Sequence, residues 1–377
     1  MRYKTRLHIH LDILEANYHR LRLIAPKNEV MFMVKSNAYG HGMVPIVRFA
    51  VQKLGIRQFG CASVAEGVHL REALPDLEFE IVVFSDLGLD LKNAVENYVH
   101  RRMIPAIASL HDLAFILNQR EFAFVPLCLK FNTGMNRLGI HFKDVPKAID
   151  LIKKSGRQKV NHILSHFACS FLPITDDSLT MKQYKTFQQI KRQFTDAGIA
   201  VEQTSLANSG AIEQGFALDE TTIRPGLLLY GPSSLTTKEQ GNGLWHGENI
   251  SSMETCIISV EKVKKGDLVG YGAIPCPHDG MMAFIAIGYG DGFSTRFSGV
   301  HITHKGFDGA FFGRINMDLT AVFFPLAAEK ALIPGEKFMI WGQNSIEFLT
   351  MAEEMKTIPY ELFCQISVRV PRYYSLD

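Results

Sequence analysis

The run Val30-Met31-Phe32-Met33-Val34, followed by Lys35-Ser36-Asn37-Ala38-Tyr39-Gly40-His41-Gly42, sets the reading of the first two-thirds of the chain. Five apolar residues without a polar interruption describe a strand covered on both faces, the pattern of a parallel sheet. The switch to a basic, glycine-bearing stretch marks a loop at its C-terminal end. Further compact runs follow at 59–63, 81–85, 104–108, 125–131, 163–167, 204–207 and 221–223. Segments of helical period lie between most of them. Tyr184, Phe187, Ile190 and Phe194 form one stripe; Leu14, Tyr18 and Leu21, behind an Asp12–Glu15 capping-box spacing, form another. Eight strands alternating with helices predict an α/β fold built on a (β/α)8 barrel of the TIM type. An open sheet fits less well, because no early GxGxxG follows a strand.

The pattern changes after Pro232–Asn249, a polar stretch rich in Ser, Thr and Gly that reads as a linker. Beyond it Cys256, Ile258 and Val260 alternate, as do Ala283, Ile285 and Ile287. Turn signals stand at Lys265-Gly266-Asp267, Gly290-Asp291-Gly292 and Pro334-Gly335, and one helical piece covers Leu349–Met355. The expected organisation is a barrel over residues 10–235 and a mainly β C-terminal domain over 236–377, with residues 1–9 a candidate to join the latter. The 377 residues are 47% hydrophobic and 21% charged, which excludes disorder and leaves ample material for a core. Forty basic against 38 acidic residues give a net charge of +2, too balanced for a nucleic-acid or anionic-membrane partner. No run of about 18 apolar residues exists to span a bilayer. The opening Met1-Arg2-Tyr3-Lys4-Thr5-Arg6 lacks an apolar signal core, so a cytoplasmic location is expected. Cysteines 61, 128, 169, 256, 276 and 364 form no CxxC pair and read as reduced, apolar residues, with neither disulfide nor metal site.

Active-site groups of such barrels sit on loops at the C-terminal strand ends. Lys35 ends the first run; alone it reads as a solvated loop lysine, but desolvation there would make its amine a nucleophile toward a carbonyl. Lys130 ends the fifth run, and Gly134 and Gly139 bracket Arg137, whose guanidinium suits forked recognition of a carboxylate or phosphate. His166 ends the sixth run, where a lone histidine is more often a packed rim residue than a catalyst. Asn208-Ser209-Gly210 and Arg224-Pro225-Gly226-Leu227 end the seventh and eighth, the loops where barrels commonly bind phosphate through backbone N–H groups. Lysine amine, phosphate nest and arginines together suit pyridoxal phosphate held as a Schiff base.

The stretch Val34-Lys35-Ser36-Asn37-Ala38-Tyr39-Gly40-His41-Gly42 resembles the cofactor-lysine signature of bacterial alanine racemases, pyridoxal-phosphate enzymes of fold type III. Lys130–Gly139, Ala207-Asn208-Ser209, Arg224-Pro225-Gly226, Gly270-Tyr271-Gly272, Gly288–Gly292, Gly313–Asp318 and Tyr360-Glu361 also resemble that family, in order along nearly the whole chain. The resemblance implies interconversion of L- and D-alanine, supplying D-alanine for peptidoglycan. It implies Lys35 as the aldimine lysine and one acid–base. Tyr271 is implied as the other, reaching the site from the partner of a head-to-tail homodimer. Arg224 is implied at the pyridine nitrogen, and Tyr39, Ser209, Tyr360 and the N–H groups of Gly226 and Leu227 at the phosphate, with Asn208 beside them. Arg137 and the Met317 N–H are implied at the substrate carboxylate, with His166 beside the cofactor and hydrogen-bonded to the catalytic tyrosine. Lys130 matches a position that some members carbamylate.

This sequence departs from the family at Asn132, where many members have aspartate, and at Ser205, where a histidine is common; support for Arg224 is therefore expected to differ. Tyr289 and Asp291 read as shaping an entrance. A broad-specificity racemase, a non-catalytic pyridoxal-phosphate carrier and a decarboxylase of the same fold type are the rival readings. The first is typically exported, the second lacks the β-rich domain, and the third matches fewer of these motifs.

Overall fold

The computed structural model describes residues 4–89, 91–236, 238 and 243–376. Eight parallel strands close into a barrel: Glu29–Met33, Gln58–Ser63, Glu80–Asp86, Met103–Ile107, Cys128–Asn132, Lys159–Leu164, Ala200–Asn208 and Thr222–Arg224. The circle is complete because Met103–Ile107 pairs with Cys128–Asn132, and Thr222–Arg224 pairs with both Ala200–Asn208 and Glu29–Met33. Alternation splits the apolar residues into two sets. Met31, Val82, Ile104, Ala106, Cys128 and Leu164 fill the barrel interior, while Phe32, Phe59, Ile81 and Val83 face the surrounding helices. The stripe on helix Leu179–Asp196 behaves as expected, with Phe187, Ile190 and Phe194 fully buried.

Three expectations need correction. The sixth strand is Lys159–Leu164 rather than 163–167: the Ser165 carbonyl leaves the ladder to accept from Arg224, so His166 lies beyond the strand. The fifth begins at Cys128: Pro126 has no N–H to give, and the Leu127 N–H goes to the Asn161 side chain at 2.9 Å. Asp12 and Glu15 form no capping box, since the helix Leu11–Ile24 starts earlier and its N-cap, His10, makes no side-chain bond.

The C-terminal region is an eight-stranded sheet around the long strand Ser251–Val263. Strand Arg6–His10 lies in this sheet, antiparallel to Ser251–Val263 and parallel to Arg372–Ser375. Ala283, Ile285 and Ile287 are buried, but on the long strand it is Ile257 that is buried and Cys256 and Ile258 only half so, because the pairing slips between Ile257 and Ser259. The helix expected over Leu349–Met355 runs Ser345–Glu354. In the stretch 232–249, positions 237 and 239–242 lie outside the described residues. Part of its remainder is packed: Leu235 and Trp245 are buried, and the Trp245 indole donates to the Gly231 carbonyl at 2.8 Å, while Leu244 is exposed. Among the described residues, no helix is long and apolar enough to cross a membrane.

Candidate active site

Lys35 follows the first barrel strand and opens a turn of the wrong hand. Ser36, Asn37, Ala38 and Tyr39 all have φ between 52° and 54°, four consecutive left-handed residues without a glycine among them. Each costs about 1–2 kcal/mol, so the surroundings must over-determine the turn. Inside it, the N–H of Ala38 donates to Val34, that of Gly40 to Ser36 and that of Gly42 to Asn37. The Asn37 side chain accepts from the Met43 N–H at 2.8 Å. From the next barrel unit, Glu66 Oε1 accepts the Ser36 N–H at 2.6 Å. From the C-terminal region, Arg372 donates to the Gly40 carbonyl at 3.0 Å and Tyr374 to the His41 carbonyl at 2.9 Å. Gly40 and Gly42 are required here: a Cβ would collide with Phe363 and Tyr374 respectively. The His41 ring bridges the Ala38 carbonyl (3.0 Å) and Ser251 Oγ (3.2 Å), and burial pushes it down to about 3, so it is a neutral strut.

The turn sets the Lys35 amine, half-buried, in the barrel mouth. Burial and the facing Arg137 hold it below its ordinary range, while Cys364 and Glu66 pull the other way. The buried Tyr39 ring lies 4.8 Å from that of Tyr230 and 5.7 Å from that of Tyr360, on helix Pro359–Cys364. At the end of the seventh strand, Asn208 caps the short helix Ser209–Glu213 by accepting from the Ala211 N–H at 3.2 Å; Ser170 donates to the same oxygen at 2.6 Å. This fixes Ser209, whose hydroxyl accepts from the N–H groups of Gly226 (3.0 Å) and Leu228 (3.5 Å). The structure thus gathers Tyr39, Ser209, Gly226 and Tyr360 at one rim. A Cβ on Gly226 would stand 2.6 Å from the Tyr39 hydroxyl.

Arg224 ends the eighth strand inside the barrel. It donates to Ser205 Oγ and the Ser165 carbonyl, with the Leu206 carbonyl at 3.5 Å. Ser205 therefore supports Arg224 directly, where the family pattern often has a histidine. Burial lowers the guanidinium to about 10, still a cation at neutral pH. Lys130, also buried, has its ammonium 5.8 Å over the Phe84 ring and falls to about 8 through burial, then Arg137, Arg224 and Lys35. His166 is driven well below its usual range by burial and the same cations, so its imidazole is neutral. Arg137 is exposed on a loop shaped by Asn132, whose Oδ1 accepts the N–H groups of Gly134 (3.0 Å) and Asn136 (3.1 Å). An amide supplies that acceptor as an aspartate would.

Tyr271 and Met317 stand apart from this group. Both are on the C-terminal domain, 70% and 53% exposed, and among the described residues neither side chain makes a hydrogen bond or ring contact with the barrel. Asp291 has a structural place: its carboxylate accepts the Gly288 N–H (3.0 Å) and pairs with Arg369 (3.1 Å), which also reaches Asp318. Tyr289 remains half exposed beside it. No three or more His, Cys, Asp or Glu among the described residues are grouped to hold a metal ion. The sequence reading passed over Glu66, Arg372 and Tyr374. Only Glu66 carried a signal, the Ser63–Glu66 spacing of a capping box, which the structure forms.

The donors at this mouth fit pyridoxal phosphate. A hydroxyl and amides at one rim suit a phosphate, a buried arginine without a carboxylate partner suits a ring nitrogen, and a desolvated amine suits an aldehyde. Barrel, β-rich second domain and strand-end lysine together define an enzyme-like fold of the two-domain barrel class. The alanine racemase N-terminal domain model matches residues 9–234, and the alanine racemase C-terminal domain model matches 250–374. The chain is 30% identical to the alanine racemase of Nitrosococcus oceani over 370 residues, 97% of each chain. It superposes on the alanine racemase of Streptomyces coelicolor with a TM-score of 0.84 at 25% identity, covering 99% of this chain and 98% of that one. The Bartonella henselae alanine racemase, solved with covalently bound pyridoxal phosphate, gives 0.83 at 25% identity over 99% and 100%. This chain belongs to the alanine racemase family.

Proposed function

We propose that the protein interconverts L- and D-alanine with pyridoxal 5'-phosphate on Lys35, acting in the cytoplasm as a homodimer that supplies D-alanine for peptidoglycan. The observation that carries the reading is the desolvated Lys35 amine in the barrel mouth, which shares the surroundings of Lys130 and His166 with buried Arg224, together with the rim of Tyr39, Ser209, Gly226 and Tyr360. Bound there, pyridoxal phosphate would supply an aldehyde for an amino group and a ring able to accept electron density from Cα. Ser209, Tyr39, Tyr360 and the N–H groups of Gly226 and Leu227 hold the phosphate, with Asn208 fixing Ser209. Arg224 keeps its proton and leaves the ring nitrogen unprotonated, which moderates the electron sink and disfavours side reactions.

Arg137 and the Met317 N–H orient the substrate carboxylate. The Lys35 amine removes or delivers a proton on one face of Cα, and the Tyr271 hydroxyl does so on the other, so each is the conjugate acid of the reverse direction. Tyr271 comes from the second copy, consistent with its exposure in the single chain. The neutral His166 imidazole is the partner of that phenol. The neutral Lys130 amine, populated near pH 8, adds to carbon dioxide and releases a proton to solvent, leaving a carbamate anion set among Arg137, Arg224 and Lys35. The barrel domain is assigned to 10–235 and the β domain to 236–377, with residues 1–9 added to the latter.

The test is proton exchange at Cα in deuterated water across a panel of L-amino acids. Alanine should exchange and racemise well ahead of lysine and arginine. Comparable turnover of the basic amino acids would replace the assignment with a broad-specificity racemase.

A further inference from the structure

Glu66 does two jobs with one carboxylate. Oε2 accepts the N–H groups of Ala62 (2.7 Å) and Ser63 (3.4 Å), closing the capping box of helix Val64–Ala73, with the Ser63 hydroxyl accepting the Glu66 N–H in return. A cap residue needs no more than that. Yet Oε1 reaches out of the box to the Ser36 N–H at 2.6 Å, the shortest of the bonds described at the lysine turn. Ser36 is the first of the four left-handed residues, so this bond acts directly after Lys35. An N–H at that point, turned outward by the left-handed backbone, has lost its helical partner, and a charged acceptor is the strongest replacement.

We infer that Glu66 is a positioning residue for Lys35: its carboxylate clamps the left-handed turn to the second barrel unit and so aims the amine at the cofactor aldehyde. The inference rests on Lys35 being the cofactor lysine. The clamp is electrostatic as well as geometric. Among the groups that act on or with Lys35, Arg137 and Lys130 are cations and His166 is neutral, while Glu66 and Cys364 act in the opposite sense. Glu66 is the carboxylate in that set, and it also favours the protonated amine.

The test uses the full-length, cofactor-free protein and pyridoxal 5'-phosphate as the probe. The amine adds to the aldehyde and expels its oxygen as water; absorbance follows the rate across pH, and borohydride fixes the bond for peptide mapping. Three variants separate the roles. Ser63→Ala breaks the capping box and leaves the Ser36 N–H acceptor in place. Glu66→Asp retains the charge and the half of the cap in which the Ser63 hydroxyl accepts the backbone N–H, but draws the carboxylate back from Ser36. Glu66→Gln keeps the length and removes the charge. Ser63→Ala should lower the melting temperature and leave the coupling at Lys35 within twofold of wild type. Glu66→Asp should cut the high-pH plateau rate roughly tenfold, the value of one hydrogen bond to a charged group. Glu66→Gln should move the midpoint of the pH profile to lower pH. Folding of each variant is checked by circular dichroism. If Glu66→Asp and Glu66→Gln both behave as Ser63→Ala does, Glu66 is a cap alone and the inference fails. A wild-type protein that does not couple at Lys35 overturns the cofactor reading as well.

Discussion

At the barrel mouth Arg224 and Ser209 are buried and hydrogen-bonded within one chain, whereas in the C-terminal domain Tyr271 is 70% and Met317 53% exposed, with side chains tied to no barrel residue described. Both regions lie on short, glycine-rich loops. The difference is in what each loop leans on. The Lys35 turn is braced by two barrel units and by the chain's last strand; the Tyr271 loop, flanked by the two-residue strands Leu268–Val269 and Ile274–Pro275, is braced by little. A site that grips a cofactor can be completed inside one chain. On the proposed function Tyr271 would approach from the opposite side of the substrate, and its exposure in the single chain is consistent with a second copy covering it.

The largest effect expected is from Lys35→Ala, which should abolish both racemisation and borohydride-fixable cofactor, as read by activity and peptide mass. Tyr271→Phe should lower turnover about 10²- to 10⁴-fold, the range for losing one acid–base, while cofactor content stays at wild type. Mixing these two inactive variants sharpens the contrast further. If sites are shared between copies, unfolding and reassociation restore about one quarter of wild-type activity, because half the dimers are mixed and each has one intact site. If each chain is self-sufficient, nothing returns.

A smaller effect is expected at the barrel rim. Gly226→Ala puts a methyl group 2.6 Å from the Tyr39 hydroxyl, whose ring is held between Tyr230 and Tyr360 and cannot retreat. Cofactor affinity should fall about tenfold by absorbance titration, with Tyr271-dependent proton transfer unaltered once the site is saturated. The smallest is a pH effect at Lys130. Its amine is near 8 when folded against 10.5 unfolded, so the folded state binds fewer protons between those values and stability from this group rises with pH across that window. In bicarbonate-free buffer, Lys130→Met should therefore raise the melting temperature at pH 7, and the gain should shrink toward pH 10.

Much of this was visible in the sequence for a physical reason. A barrel strand buried on both faces must be apolar along its length, so its end is legible wherever a polar residue breaks the run, and Lys35, Lys130 and Arg224 stand at such breaks. What was hidden depends on partners distant in sequence. The sixth strand stops early because Arg224 takes the Ser165 carbonyl, and the long C-terminal strand shifts its buried face at a slip in pairing. No propensity predicts left-handed geometry at Ser36, Asn37, Ala38 and Tyr39, since tertiary contacts impose it. The second use of Glu66 is invisible for the same reason, because a capping-box spacing says nothing about a neighbouring loop.

The hydrogen bond from Arg372 to Gly40 joins positions 332 residues apart, and that from Tyr374 to His41 joins positions 333 apart. Closing so long a span is slow and entropically expensive. The bearing of the Lys35 turn therefore depends on contacts from the far end of the chain, supplied where the strand Arg372–Ser375 pairs with Arg6–His10. If Lys35 carries the cofactor as proposed, loosening that distant strand would cost the lysine its aim without touching the barrel.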